Sequence, residues 1–384
     1  MNCVWPKWCG LPLILAGLAL GRLPARADSP PTVVTPAQIT AAADALADAQ
    51  LAHADRGNLT WQFGTFYAGL AAYAPVSPQS AKYWDVIRSL GNESHWTPSL
   101  VHRDPTNADS LCIGAAFEAV SARGQNPAEL APLQGRLDQV ADASNAEDAA
   151  AKRPVWWWCD ALFMAPPVLA RMSEITGDPK YRDALDREWW RTANLLYDPD
   201  GHLFYRDTRH KSARDSQGNP VFWSRGNGWV LAGLARTLEA LPDNYPDRAR
   251  FVALYKDMAG RIAELQTPDG SWHSSLLDPD HYPGPETSGT ALNCFGLAWG
   301  INHGLLSREG YLPVVAKAWA ALLAARRPDG LPGYVQGVGA APALATASHT
   351  EAYATGAYLL AASELVKLAP FALSPSPVAV SPAP

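Results

Sequence analysis

The pattern that most constrains this chain is an alternation between two kinds of helical segment. Apolar residues recur three and four apart over about twelve stretches, near 37–54, 62–74, 79–90, 109–122, 127–142, 160–176, 179–196, 226–241, 246–266, 288–304, 310–326 and 350–368. Segments such as WQFGTFYAGLAAYA, DSLCIGAAFEAV, DALFMAPPVLARM, GNGWVLAGLARTL, SGTALNCFGLAWGI and EAYATGAYLLAASEL are apolar nearly all round. The others, such as KYRDALDREWWRTANLLY, carry one charged face. A helix apolar on every side is buried, and one with a charged face is peripheral. Six inner and six outer helices in alternation predict an all-α fold, an (α/α)6 barrel of six helical hairpins. The inner segments open near Trp61, Asp109, Asp160, Arg225, Ser288 and His349, at intervals of 48, 51, 65, 63 and 61 residues. Strand-like alternation is scarce.

A length of 384 residues allows two or three domains or one large closed architecture. The ends read differently from the middle. Lys7, the apolar run of residues 11–21 and Ala25-Arg26-Ala27 form an export signal over residues 1–27, too short to span a bilayer as a helix. Its cleavage removes three basic residues and no acids, taking the net charge from −6 to −9. Residues 28–36 and 370–384, rich in Pro and Ser, are expected to be a flexible linker and a flexible tail around a catalytic domain at 37–369. The mature protein is therefore expected to be periplasmic or secreted and free of membrane association. The acidic balance and the absence of a basic run argue against nucleic acid. Cys112, Cys159 and Cys294, odd in number and set in apolar helical patterns, read as small buried hydrophobes rather than a disulfide framework or a zinc cluster.

In such a barrel all inner helices run the same way, so their N-termini gather at one end. Asp109, Asp160, Arg225 with Asn227, Ser288 with Thr290, and His349 with Glu351 stand at those starts. Taken singly, Asp, Asn, Ser and Thr there are explained by capping. Together, interleaved with Trp156, Trp157, Trp158, Trp223 and Trp229, they make a pocket suited to sugar faces and, through the helix dipoles and Arg225, to an anion. Trp158 and Trp229, beside polar helix starts, are the expected ligand-facing aromatics. Asp160 follows a bulky aromatic run, which would raise its pKa and suit it to general-acid work, with Asp109 as a neighbouring carboxylate. On chemistry alone Asp160 serves equally well as an acid or as an N-cap.

The strings WWWCDALFMAPPVLARMSEITGDPKY, FWSRGNGWVLAGLARTLEALP, DGSWHSSLLDPDHYPGPETSGTA and EAYATGAYLLAASEL, in this order, resemble the signature segments of glycoside hydrolase family 105, the unsaturated rhamnogalacturonyl hydrolases, relatives of the unsaturated glucuronyl hydrolases. The likeness runs from about Trp61 to Leu368. It implies the (α/α)6 fold and a substrate made by a pectin-type polysaccharide lyase, with a 4,5-unsaturated uronate at its non-reducing end. It further implies Asp160 as general acid and base, Asp109 as its partner carboxylate, and Arg225, Trp229 and Trp158 as substrate contacts. Where many members carry a histidine in a pattern like H-x-W-D, this chain reads LFYRDTRH at 203–210, leaving Arg206, Asp207 or Arg209 to stand in its place.

Chemistry of this kind, protonation of an enol ether at C4 and addition of water at C5, requires no metal or organic cofactor. The expected partner is a small unsaturated oligosaccharide, and the expected assembly a monomer. Two other readings fit the same pocket: an inverting glycosidase on saturated sugars using Asp109 and Asp160, and a non-catalytic periplasmic sugar-binding protein.

Overall fold

The computed structural model describes residues 1–2, 33–55, 57–145 and 154–373. All but the first two residues of the expected signal, most of the linker and the tail beyond residue 373 lie outside them.

The predicted alternation is realised as two layers of helix. The inner layer consists of α2 (Trp61–Tyr73), α4 (Ala108–Leu111) with α5 (Gly114–Gly124), α7 (Ala161–Met164) with α8 (Pro166–Thr176), α10 (Ser224–Ala240), α12 (Thr287–Asn302) and α14 (Ala352–Leu368). The outer layer is α1 (Pro36–Ala52), α3 (Ser80–Glu93), α6 (Ala131–Asn145), α9 (Pro179–Leu196), α11 (Arg248–Glu264) and α13 (Arg308–Ala324). Neighbouring inner helices pack in chain order, and α14 closes the ring against α2. That seam depends on glycine. A Cβ on Gly69 or on Gly356 would collide with backbone of the opposite helix, so only glycine lets the two axes come this close.

Two inner helices are broken near their starts. In the second break the cause is plain: Pro166 and Pro167 have no N–H to continue the hydrogen-bond ladder of α7, so α7 stops at Met164 and α8 begins at the proline. The break at Cys112–Ile113 has no proline behind it. Each break leaves a short mouth-side turn carrying an aspartate, which displays its side chain independently of the long helix below.

The two short ribbons of the fold pair β1 (Val33–Val34) with β4 (Phe371–Ala372) and β2 (Tyr197–Asp198) with β3 (Leu203–Phe204), both antiparallel. The first of these corrects the expected boundaries. Val34 and Phe371 are buried, so the last residues of the expected linker and the first of the expected tail are ordered against each other. Val34 and Phe371 supply the burial that a purely flexible end would lack. Cys112, Cys159 and Cys294 are buried free thiols, as their apolar surroundings predicted. Among the described residues no helix is long and apolar enough to cross a membrane.

Candidate active site

The mouth of the barrel separates capping from chemistry. Asn107 caps α4: its side-chain oxygen accepts the backbone N–H of Asp109 at 2.9 Å, so the Asp109 carboxyl is not spent on the helix. Asp160 precedes α7 and makes no capping hydrogen bond either. At α12 the cap is Glu286, whose carboxylate accepts the N–H groups of Ser288 (3.1 Å) and Gly289 (2.7 Å), leaving Ser288 as a donor to it rather than the cap. A capping carboxylate is accounted for by the helix it serves. Those of Asp109 and Asp160 are not.

The two aspartates feel each other. Burial pushes the Asp109 carboxyl up to about 7, the charge on Asp160 pushes the same way, and the Arg206 guanidinium pulls down. Asp160 is 9% exposed, accepts a weak hydrogen bond from the Cys159 thiol at 3.5 Å, and lies 3.4 Å from Nε of Arg206. The Asp109 carboxyl thus keeps its proton up to near-neutral pH, with the Arg206 cation beside Asp160.

Arg206 arrives there by backbone pairing. Trp158 and Asp207 form an antiparallel bridge, and the N–H of Cys159 donates to the Arg206 carbonyl at 2.9 Å. This lays the segment after β3 alongside the aromatic run that leads into α7. Asp207, fully buried, anchors the basic groups around it. It accepts hydrogen bonds from Arg206 (2.8 Å), from Nε and a terminal nitrogen of Arg209 (3.2 and 2.8 Å) and from Nδ1 of His210 (3.0 Å). These donors hold its carboxyl well below the usual range despite burial, which pushes the other way. Of the residues the sequence offered in place of the histidine that the resemblance implies, Arg206 therefore stands against the carboxyl pair, Asp207 orients it, and Arg209 is largely exposed.

Three of the residues expected to contact substrate are enclosed. Arg225 was expected to present an open guanidinium to a carboxylate. Instead it is 1% exposed, stacked near Trp223 (4.3 Å to the ring centroid), with its terminal nitrogens donating to the carbonyls of Gln336 (2.6 Å) and Gly337 (2.9 Å). Those bonds leave no free fork. Gln336 is the hub of this lock: its N–H donates to Glu286 at 3.2 Å, its side-chain oxygen accepts from Trp223 at 2.9 Å, and its carbonyl also accepts from the Tyr353 hydroxyl. Trp229 is 1% exposed because it lies one turn inside α10, packed against Phe163 at 4.6 Å and edge-on to Trp61 at 6.3 Å. Trp158, in the bridge with Asp207, is 6% exposed, whereas its neighbour Trp157 is 48% exposed and offers the open indole face.

Trp61 and Tyr353, stacked at 5.0 Å at the starts of α2 and α14, complete the aromatic lining and were not singled out as site residues from sequence. The signal was available for Trp61, which opens its inner helix as the aspartates open theirs. Gln336 left no such signal, because its partners Trp223, Arg225 and Glu286 are distant in the chain, whereas Glu286 stands as a local cap two residues before Ser288.

A closed double ring of helices with an uncommitted carboxyl pair and aromatic walls at its mouth is the build of a carbohydrate-active hydrolase, and the protein is a glycoside hydrolase. The chain belongs to Glycosyl Hydrolase Family 88, whose family model matches residues 38–369. It is 39% identical over 322 residues to an unsaturated 3S-rhamnoglycuronyl hydrolase of Formosa agariphila, covering 80% of this chain and 84% of that one. A protein of the same name from an Alteromonas species is 34% identical over 321 residues, covering 80% and 77%. Among solved structures, a family 88 glycosyl hydrolase from Bacteroides vulgatus superposes with a TM-score of 0.81 at 28% identity, covering 88% of this chain and all of that one.

Proposed function

We propose that the protein releases a 4,5-unsaturated uronate from the non-reducing end of lyase-generated oligosaccharides, with rhamnose as the neighbouring sugar. The names of the two curated relatives support the sugar, and the carboxyl pair supports the chemistry. The observation that carries the reading is that Asp109 and Asp160 are freed from capping and stand near each other, with burial and the neighbouring charge raising the Asp109 carboxyl to about 7.

The bond between C4 and C5 adjoins the ring oxygen and is an enol ether. Asp160 delivers a proton to C4, drawing on the one that Asp109 holds, and the ring oxygen stabilises the positive charge that develops at C5. Water then adds at C5 with Asp160 taking its proton, which restores the pair. The resulting hemiketal opens to a ketone at C5. That leaves a hemiacetal at C1, which collapses to an aldehyde and expels the next sugar as an alcohol. One water is consumed overall. Arg206, rather than Arg225, receives the uronate carboxylate, because it is the guanidinium that reaches the pair. We further propose, from the signal-like residues 1–27, that the enzyme is exported and acts outside the cytoplasm.

Turnover of lyase-generated unsaturated disaccharides, followed by loss of the conjugated ultraviolet absorbance, tests the activity. Asp160→Asn should bind the same disaccharide by calorimetry yet lose turnover by about a thousandfold or more, since the amide keeps the shape but cannot exchange the proton. Cleavage of a saturated uronide with no activity on the unsaturated one would favour the inverting glycosidase instead.

A further inference from the structure

At the end of the barrel away from the mouth, the inner helices do not close fully on one another. A cavity of about 400 Å³ lies between them toward their C-termini, walled by Ala71 of α2, Glu118 of α5, Pro167 of α8, Arg236 of α10, Phe295 of α12 and Leu360 of α14. Its volume is that of a small-molecule site. Two of the basic side chains around it are already engaged: Arg171 donates to Glu174 at 2.6 Å, and Lys367 to Glu364 at 2.6 Å. Glu118 and Arg236 are not. Glu118 is 1% exposed, makes no hydrogen bond among the described residues, and has one carboxyl oxygen sealed from water without a partner. Arg236 makes no hydrogen bond or ion pair among the described residues either, and its guanidinium lies over the Phe163 ring, 4.8 Å from the centroid. An enclosed polar group with no partner is costly to the fold, and a ligand that supplies the partner removes that cost. Burial pushes the Glu118 carboxyl well above its ordinary value, against the pull of Arg171 and Arg236, so it is a neutral acid with an O–H to donate. A guanidinium keeps its charge even when enclosed. Both groups are therefore donors, set in walls that are otherwise largely apolar.

We propose that this cavity binds a small amphipathic carboxylate, its charged end accepting from Arg236 and the Glu118 acid and its apolar body lying along Ala71, Phe295 and Leu360. The site uses no residue of the barrel mouth and stands apart from the reaction there.

Benzoate is the probe, with benzyl alcohol as its uncharged counterpart, each titrated into the protein by calorimetry. Wild type should bind benzoate saturably and about tenfold more tightly than benzyl alcohol, because only the carboxylate makes charge-assisted bonds. Arg236→Met should weaken benzoate by about tenfold or more, whereas Glu118→Gln, whose amide donates as the acid does, should stay within about threefold of wild type. Ala119, next to Glu118, also faces the cavity. Ala119→Leu fills that space without altering either polar group, so it should abolish benzoate binding with turnover unchanged, and it decides the matter even if Arg236→Met fails to fold. No saturable binding to wild type would overturn the site. So would binding that neither Arg236→Met nor Ala119→Leu weakens, since that places the benzoate elsewhere, as beside Arg206 at the mouth. A gain of about tenfold in Glu118→Gln would mean that Glu118 is ionised and repels the probe, which would overturn the pair of donors.

Discussion

Burial holds the Asp109 carboxyl neutral up to about pH 7, against an ordinary value of 3.8. The activity should therefore decline as pH rises through about 7, when Asp109 loses its proton, and the descending limb of kcat/KM against pH measures that. Stability carries the opposite mark of the same group. Between about pH 4 and 7 the folded state binds a proton that the unfolded state has released, so unfolding free energy falls as pH rises across that window. Asp109→Asn removes the penalty. It should unfold like wild type at pH 3 and be more stable at pH 8 by on the order of 2–3 kcal/mol, while losing most activity. Equal thermal midpoints for the two proteins at pH 8 would mean that this carboxyl is not desolvated.

Among the structural elements, the loop after α13 is tied to α10 through the Arg225 side chain. Arg225 binds two of its carbonyls and lies 3.9 Å from the buried Glu286 carboxylate, so Arg225→Ala leaves buried acceptors and a buried charge without their cation. The expected cost is about 3–5 kcal/mol, read from chemical denaturation, together with faster proteolysis within residues 337–345. An unchanged midpoint would restore Arg225 to the ligand-facing role that the sequence assigned it. That role was a reasonable expectation, since Arg225 does stand at an inner-helix start. What sequence could not show is that its partners are backbone carbonyls 111 and 112 residues away, which periodicity does not register. The helices themselves were legible to within a few residues because 3.6-residue spacing is a local property. The breaks were not: periodicity gave 160–176 and 109–122 as single segments, although Pro166 marks the break in the former, and that at Cys112–Ile113 has no proline to mark it. The tryptophans show the same limit: sequence placed five of them near the mouth, but which one stays open depends on the bridge that fixes Trp158 and on the depth of Trp229 along α10.

The whole molecule joins a scaffold and a site that answer to different rules. The ring closes where Gly69 of α2 meets Gly356 of α14, and Gly356→Ala should loosen that seam by about 1–3 kcal/mol, seen as a lowered thermal midpoint with the active-site residues untouched. Ring closure sets the inner-helix starts around one axis, and at that end the two aspartates are released from capping by Asn107 and by the separate short helix before Pro166. The central claim is that this pair protonates a carbon atom, which an ordinary glycosidase does not do. Turnover of the unsaturated disaccharide in heavy water, stopped early and read by nuclear magnetic resonance, tests it directly. The account predicts one solvent deuteron at C4 of the released uronate for each absorbance-losing turnover. A product formed at full rate with no deuterium on carbon would contradict it, even if Asp160 proved essential.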